Sequence, residues 1–202
     1  MEYIEKYFEG LSQIQKEQFE KLSALYKREN EKVNVVSRKD IENIEVNHIL
    51  HSAAIAKFIQ FPKGSKVLDL GTGGGLPGLP LAILFPEVHF HLIDRIGKKI
   101  KVAESIAKEL GLTNVTFQHG DIGECKEKFD YVVSRAVAPQ KELLKISRKN
   151  LGKALITLKG GELEEELKGI PHTRVVPISD YFVEPFFETK KIVSTSTDIS
   201  SR

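Results

Sequence analysis

The chain has 202 residues, 41% of them hydrophobic and 29% charged, with a net charge of +2. That length buries the core of one α/β domain with an appendage, and the composition excludes a disordered chain. The small net charge excludes capture of nucleic acid by bulk electrostatics, so any RNA site must come from locally clustered Lys and Arg.

Residues 1–62 read as a helical cap. Ile4, Phe8 and Leu11 recur at helical spacing, and Leu22, Leu25 and Tyr26 do so after a fresh start. Between them, Ser12-Gln13-Ile14-Gln15 fits a capping box in which Gln15 reaches back to the Ser12 amide. A third helix is expected over about 42–59, stopped by Phe61-Pro62-Lys63-Gly64. The opening residues carry no basic-then-apolar leader, and the longest apolar run, Leu79–Phe85, is too short to cross a bilayer. A cytoplasmic protein without membrane contact is therefore expected. Cys125 is the sole cysteine, which argues against a disulfide framework and a multi-thiolate metal site. No long apolar patch demands a dimer, and a monomer is the expectation.

From Lys66 onward strands and helices alternate, implying a parallel sheet in a domain over 63–195. Strands are expected at Lys66–Leu70, His89–Ile93, Val115–Gln118, Tyr131–Ser134 and Ala154–Leu158, and helices over about 79–85, 98–110 and 162–167. Two further β-rich runs, Thr173–Ile178 and Lys190–Ser194, have no helix between them and are expected to pair antiparallel. The Ser/Thr-rich end, Ser194–Arg202, is expected to fray, with 196–202 set apart as a tail.

The first strand runs into Gly71-Thr72-Gly73-Gly74-Gly75-Leu76-Pro77-Gly78 and then a helix. A side chain at Gly71, Gly73 or Gly75 would keep the backbone from approaching a ligand, so the turn reads as a cofactor cradle. Counted from the strand end, a dinucleotide fingerprint G-x-G-x-x-G needs glycine where Leu76 stands. Counted from Gly73 the fingerprint fits, ending at Gly78, but it starts two residues past the strand. From the strand itself the pattern is G-x-G-x-G, the arrangement of class I methyltransferases, whose donor S-adenosylmethionine has no pyrophosphate to seat. The expected fold is a class I S-adenosylmethionine-dependent methyltransferase. That is a Rossmann-like α/β sheet, mostly parallel, with a C-terminal antiparallel hairpin and an N-terminal helical cap. A dehydrogenase would continue βαβ.

Several side chains cluster at the expected carboxyl edge of this sheet. Asp94 ends the second strand roughly twenty residues past the glycine turn, where an acid accepts both ribose hydroxyls; the plainer role is an N-cap. Asp69 either approaches the cofactor's amino group through water or braces the loop. Asp121 and Ile122, after the third strand, offer an acceptor and an apolar wall to adenine, or form an ordinary turn. Ser134-Arg135-Ala136, after the fourth, lies where donor meets acceptor, and the planar fork of Arg135 suits a phosphate or a base carbonyl; a surface salt bridge is the alternative. Arg95, Lys98, Lys99 and Lys101 gather at a helix N-terminus, against the macrodipole, which suggests a phosphate-facing role beside that of a solvated face. Lys159, before Gly160-Gly161, is a further candidate for RNA phosphate, or part of a plain turn. The aromatic loop Tyr181–Phe187 either stacks on bases or packs in the core.

Gly71–Gly78, Ser134-Arg135-Ala136, Lys159-Gly160-Gly161 and the upstream Asn47-His48-Ile49-Leu50-His51-Ser52 together resemble the bacterial small-subunit ribosomal RNA guanine-N7 methyltransferases, the glucose-inhibited division protein B family. The resemblance runs from about Tyr26 to Ser194, and the Gly-Leu-Pro-Gly ending of the glycine loop is its sharpest element. It implies S-adenosylmethionine as cofactor and methylation of a guanine N7 in the 530 loop of 16S ribosomal RNA, as naked RNA or in the small subunit. It implies cofactor-binding positions at Gly71, Leu76, Ile122, Gly123 and Arg135. In the cap the family pattern is Arg-His-Ile-Leu-Asp-Ser, so Asn47 and His51 replace two charged residues. Guanine N7 carries a free in-plane lone pair, so no general acid or base is assigned, and Arg135 enters the chemistry as a positioning group. A methyltransferase of small molecules or proteins, with the cap as lid, is the alternative.

Overall fold

A computed structural model describes residues 2–37 and 39–197. Arg38 and 198–202, with them most of the expected tail over 196–202, lie outside the described residues. Helix α1 covers Glu2–Tyr7 and α2 covers Gln13–Asn30. The capping box is formed: Ser12 Oγ accepts from the Gln15 amide, and Gln15 Oε1 accepts from the Ser12 amide at 2.9 Å. The Gln15 carboxamide nitrogen also donates to the Ile83 carbonyl at 2.8 Å, so one side chain both starts α2 and docks it. Phe19, Leu22, Leu25 and Tyr26 form its buried stripe.

The segment expected as one helix over 42–59 is instead three windings: a 3₁₀ turn at Ile41–Asn43, a π-helical stretch at Glu45–Leu50, and α3 at His51–Phe58. Ile44 and Ile49 are both buried. Their separation of five suits a π turn better than 3.6-residue winding.

The sheet is built from β1 Lys66–Leu70, β2 His89–Asp94, β3 Val115–His119, β4 Phe129–Arg135, β5 Leu151–Gly160, β6 Thr173–Pro177 and β7 Lys190–Ser196. Helices α4 (Gly78–Leu84), α5 (Gly97–Glu109), α6 (Gln140–Ser147) and α7 (Glu164–Leu167) follow β1, β2, β4 and β5. Strand order is β3-β2-β1-β4-β5-β7-β6. The first five strands are parallel, and β7 runs antiparallel to both β5 and β6. The second strand of the closing hairpin is thus inserted into the sheet.

That insertion corrects the expected fraying from Ser194. Ser194 faces Ile156 on one side and Arg174 on the other. Thr195 Oγ1 accepts from Gln140 Nε2 at 3.0 Å, and the Thr197 amide donates to the Lys153 carbonyl at 2.8 Å. A ladder on both edges leaves these groups no gain from fraying.

Strand alternation separates two apolar layers. Val67, Leu92, Val133 and Ile156 point into a large core shared with Leu22, Tyr26, Leu50 and Ile55, so the cap and the sheet have one core between them. Their neighbours Leu68, Ile93, Val132 and Leu155 pack on the other face against Leu143 of α6. From β1 the chain winds out to β2 and β3 on one side and to β4 and β5 on the other. The carboxyl ends of β1 and β4 therefore open a crevice at the switch point. Among the described residues no helix is long and apolar enough to cross a membrane.

Candidate active site

A cleft of about 570 Å³ lies at that switch point, within the roughly 300–1,000 Å³ typical of small-molecule sites. Its floor is the glycine turn. The amides of Gly71 and Thr72 both donate to the Ile93 carbonyl, at 2.9 and 3.0 Å, tying the turn to β2. Beneath it Asp69 is fully buried, with Oδ2 accepting from Thr72 Oγ1 at 2.5 Å and from the Gly78 amide at 2.7 Å. Asp69 does not line the cleft; of its two readings, bracing of the loop is the one found. Burial pushes its carboxyl up to about 7, even though both hydrogen bonds favour the charged form. From the cap, the Tyr26 hydroxyl donates to the Gly74 carbonyl at 3.1 Å, and Val35 packs where a Gly74 side chain would stand.

The glycines divide by role. Gly73 lines the cleft with φ of +57°, and a Cβ there would meet no protein atom nearer than Lys99 Cδ at 4.0 Å. Its bare face belongs to the ligand space. A Cβ on Gly71, also in the lining, would collide with Val137. Gly75 is different and corrects the expectation: it is outside the lining, and a Cβ there would stand 2.5 Å from Leu79 Cδ1. It is bare so that α4 can pack. Leu76 returns to the cleft wall.

Asp94 accepts from the Gly73 amide through Oδ2 and from the Ile96 amide through Oδ1, each at 2.8 Å. Each oxygen retains capacity for a second bond, the requirement for two vicinal hydroxyls. Ile96 and Val137, two of the few large apolar side chains left exposed, at 50% and 46%, stand in the cleft with buried Ile122. Asp121 is also in the lining. Its Oδ1 accepts from the Gly123 amide at 2.8 Å and its Oδ2 pairs with Arg95; the two together hold its carboxyl below the usual range. Gly123, expected in the cofactor site, therefore lies behind Asp121 and outside the lining.

The basic candidates separate as well. Lys99 and Arg95 line the cleft, Arg95 with its charge already paired; Lys98 is exposed outside it. Lys159 is not a free cation. Its side chain is 13% exposed, donates to the Ala138 carbonyl at 2.6 Å and pairs with Glu166 at 2.9 Å. Glu166 in turn accepts from the Gln140 amide at 2.9 Å, so Lys159 ties α7 to the start of α6. Accordingly, Lys159→Met is expected to lower stability by about 1.5–3 kcal/mol, the range for a hydrogen bond to a charged group. Urea unfolding reads that loss, while RNA affinity in filter binding should change less than about twofold. The aromatic loop is likewise spent on packing: Phe182 and Phe187 are buried, and Phe186 meets His51 edge-on at 5.4 Å.

Arg135 ends β4 at the cleft mouth, half-buried, before Ala136 in the left-handed region at φ of +55°. Among the described residues no carboxylate lies within ion-pair distance of Arg135. Its NH1 donates to Nδ1 of His48, on the π turn, at 3.0 Å. Burial, reinforced by the Arg135 charge, pushes the His48 imidazole down to about 4, so it is neutral at physiological pH. Burial lowers the Arg135 guanidinium too, but arginine stays charged in proteins. The sequence alone gives His48 no role and does not mark Tyr26 or Val35 as neighbours of the glycine turn, because their contacts with it form only when the cap closes on the sheet.

A bare turn, an acid with two spare acceptor sites and apolar walls fit S-adenosylmethionine, which needs close backbone, ribose acceptors and a cover for adenine. The chain matches the family rRNA small subunit methyltransferase G over residues 15–191. The protein named ribosomal RNA small subunit methyltransferase G from Bacteroides thetaiotaomicron is 54% identical, covering 96% of this chain and 98% of its own. Its namesake from Phocaeicola vulgatus is 55% identical, with 96% and 97% covered. Among solved structures, magnesium protoporphyrin IX methyltransferase from Synechocystis PCC 6803 with bound SAM aligns with a TM-score of 0.58 at 18% identity, covering 81% of this chain and 86% of that one. A SAM-dependent methyltransferase from Aquifex aeolicus aligns with a TM-score of 0.55 at 18% identity, covering 73% and 89%. Those two likenesses speak for the fold, and the near-full-length relatives for the family. The chain belongs to the rRNA small subunit methyltransferase G family.

Proposed function

We propose that this protein methylates N7 of a guanine in the 530 loop of 16S ribosomal RNA, using S-adenosylmethionine. The observation that carries the reading is the pairing of a nucleoside-sized cleft, floored by bare Gly73, with an arginine at its mouth that no described carboxylate neutralises. Asp94 takes the ribose hydroxyls, Ile96, Ile122 and Val137 wall the adenine, and Asp121 accepts from its amino group. Bound there, the cofactor supplies an electrophilic methyl on a sulfonium.

The acceptor side needs little from the chain. N7 is already deprotonated, so no side chain has to remove a proton before attack. What the residues provide is placement, worth several kcal/mol when reacting atoms are held at near-attack distance. Arg135 can hold O6, the neighbouring acceptor on the same base edge, while N7 stays bare for the methyl. The base would reach the cleft splayed from its stack. Lys98 and Lys99 offer contacts to the flanking phosphates. The protein acts as a cytoplasmic monomer on the RNA or the small subunit.

Incubation with tritiated methyl donor and unmodified small subunits, followed by nucleoside mapping, tests the reading. Label recovered as 7-methylguanosine from the 530 loop is expected; label on another atom or another region overturns it. Arg135→Ala should stay folded, with a melting temperature near wild type, and lose about 100-fold in methyl transfer, the scale for misplacing reacting groups.

A further inference from the structure

Arginine carries five N–H donors and no acceptor, so the 3.0 Å contact between Arg135 NH1 and His48 Nδ1 fixes the direction of the bond. The imidazole nitrogen accepts. His48 is then neutral with its proton on Nε2, and that N–H is buried without a partner among the described residues. A buried, unpaired N–H is a standing cost to the fold. Stability therefore does not explain a histidine here.

Two other features point to function. The residue sits in the π-helical stretch Glu45–Leu50, a winding that is rare and concentrated at functional sites. It also holds an arginine that carboxylates more commonly hold. A carboxylate would engage the fork through two donors and cancel its charge. One imidazole lone pair takes a single donor and leaves the charge and the remaining donors for something else. Asp40, whose charge acts on His48, is itself occupied by Ser37 at 2.7 Å and Asn47 at 3.3 Å.

We infer that His48 is a positioning residue for methyl transfer: it fixes the orientation of the Arg135 fork at the cleft mouth while leaving the other guanidinium donors free for the substrate base. The assignment of that base as guanine, held at O6, rests on the function proposed above. His48 of the cap and Arg135 at the strand end thus act as one unit, joined by this hydrogen bond.

The test uses the full chain on unmodified small subunits. Three variants separate position from fold: His48→Asn keeps an acceptor near the Nδ1 position, His48→Gln moves it toward the Nε2 position, and His48→Phe keeps the ring without an acceptor. His48→Phe is expected to lose at least about tenfold in kcat, with KM for subunits and cofactor affinity by calorimetry within about twofold of wild type. His48→Asn should stay within about threefold. In the Arg135→Ala background, His48→Phe should cost nothing further, because residues acting as one unit are not additive. A wild-type kcat for His48→Phe, equal impairment of the Asn and Phe variants, or full additivity with Arg135→Ala overturns the role. If His48→Phe fails to fold, the Asn and Gln pair decides. Asn faster by at least about fivefold supports the inference, and Gln equal or faster overturns it. Wild-type transfer to an acceptor other than guanine N7 defeats the reading of the reaction alone, and the same ranking of variants still settles His48.

Discussion

Gly73→Val is expected to fold and to bind no S-adenosylmethionine. The position is left-handed at φ of +57°, so a β-branched residue costs about 1–2 kcal/mol of backbone strain. The added side chain meets no packed protein atom, because Lys99 Cδ, at 4.0 Å from the Cβ, is its nearest neighbour. It stands in the cleft, over the amide that Asp94 holds at 2.8 Å. Gly75→Val is the control with the opposite outcome. There φ is +102°, Leu79 Cδ1 lies 2.5 Å from the Cβ and Ala103 Cβ lies 3.3 Å away. Overpacking of about 1–3 kcal/mol adds to the strain, and the damage is to the junction of α4 with α5. Calorimetric titration and thermal melts separate the two. The Gly73 variant should lose at least about 100-fold in affinity with a modest fall in melting temperature, and the Gly75 variant should lose more stability than the Gly73 variant. Cofactor affinity of Gly73→Val within about tenfold of wild type would refute the assignment of the turn as the cradle.

Features written in local sequence were legible. The first strand has the same bounds in both readings, Lys66–Leu70, because an apolar run ending in glycine has no competing periodicity. The capping box needed only Ser12 and Gln15. The absence of a crossover helix before Lys190 foretold antiparallel pairing. Helix α6 was not foreseen: it is only eight residues long and opens after Pro139 with no side-chain cap to mark its start. Roles set by distant partners were invisible because no local pattern encodes them. That Lys159 spends its charge on Glu166, that Gly75 is bare for Leu79, and that Arg135 meets His48 across 87 residues are all products of the closed sheet. Spacing locates a site, and tertiary contact decides which of its residues face the ligand.

Asp69 is expected to make the stability of the fold fall as pH rises. Its carboxyl is pushed up to about 7 by burial, against an ordinary aspartate value of about 4. A carboxyl raised in the native state binds a proton more tightly there than in the unfolded chain, so stability from this group is greatest at acid pH and is lost as pH rises toward 7. Two pH units separate pH 5 from that value, so about 3 kcal/mol present at pH 5 is gone by pH 8.5. Other groups bend the raw profile the opposite way. His48, pushed down to about 4, withdraws stability as pH falls below its unfolded value near 6.5. The comparison that isolates Asp69 is therefore with Asp69→Asn, in which an amide oxygen can still accept from Thr72 and Gly78 but no longer titrates. Urea unfolding of both proteins at pH 5 and pH 8.5 should show the wild type losing about 3 kcal/mol relative to the variant between the two. A constant difference would mean that Asp69 keeps one protonation state from pH 5 to pH 8.5: ionised throughout if its hydrogen bonds from Thr72 and Gly78 outweigh burial, or protonated throughout if burial outweighs them. Only in the first case is the brace beneath the glycine turn a permanent anion.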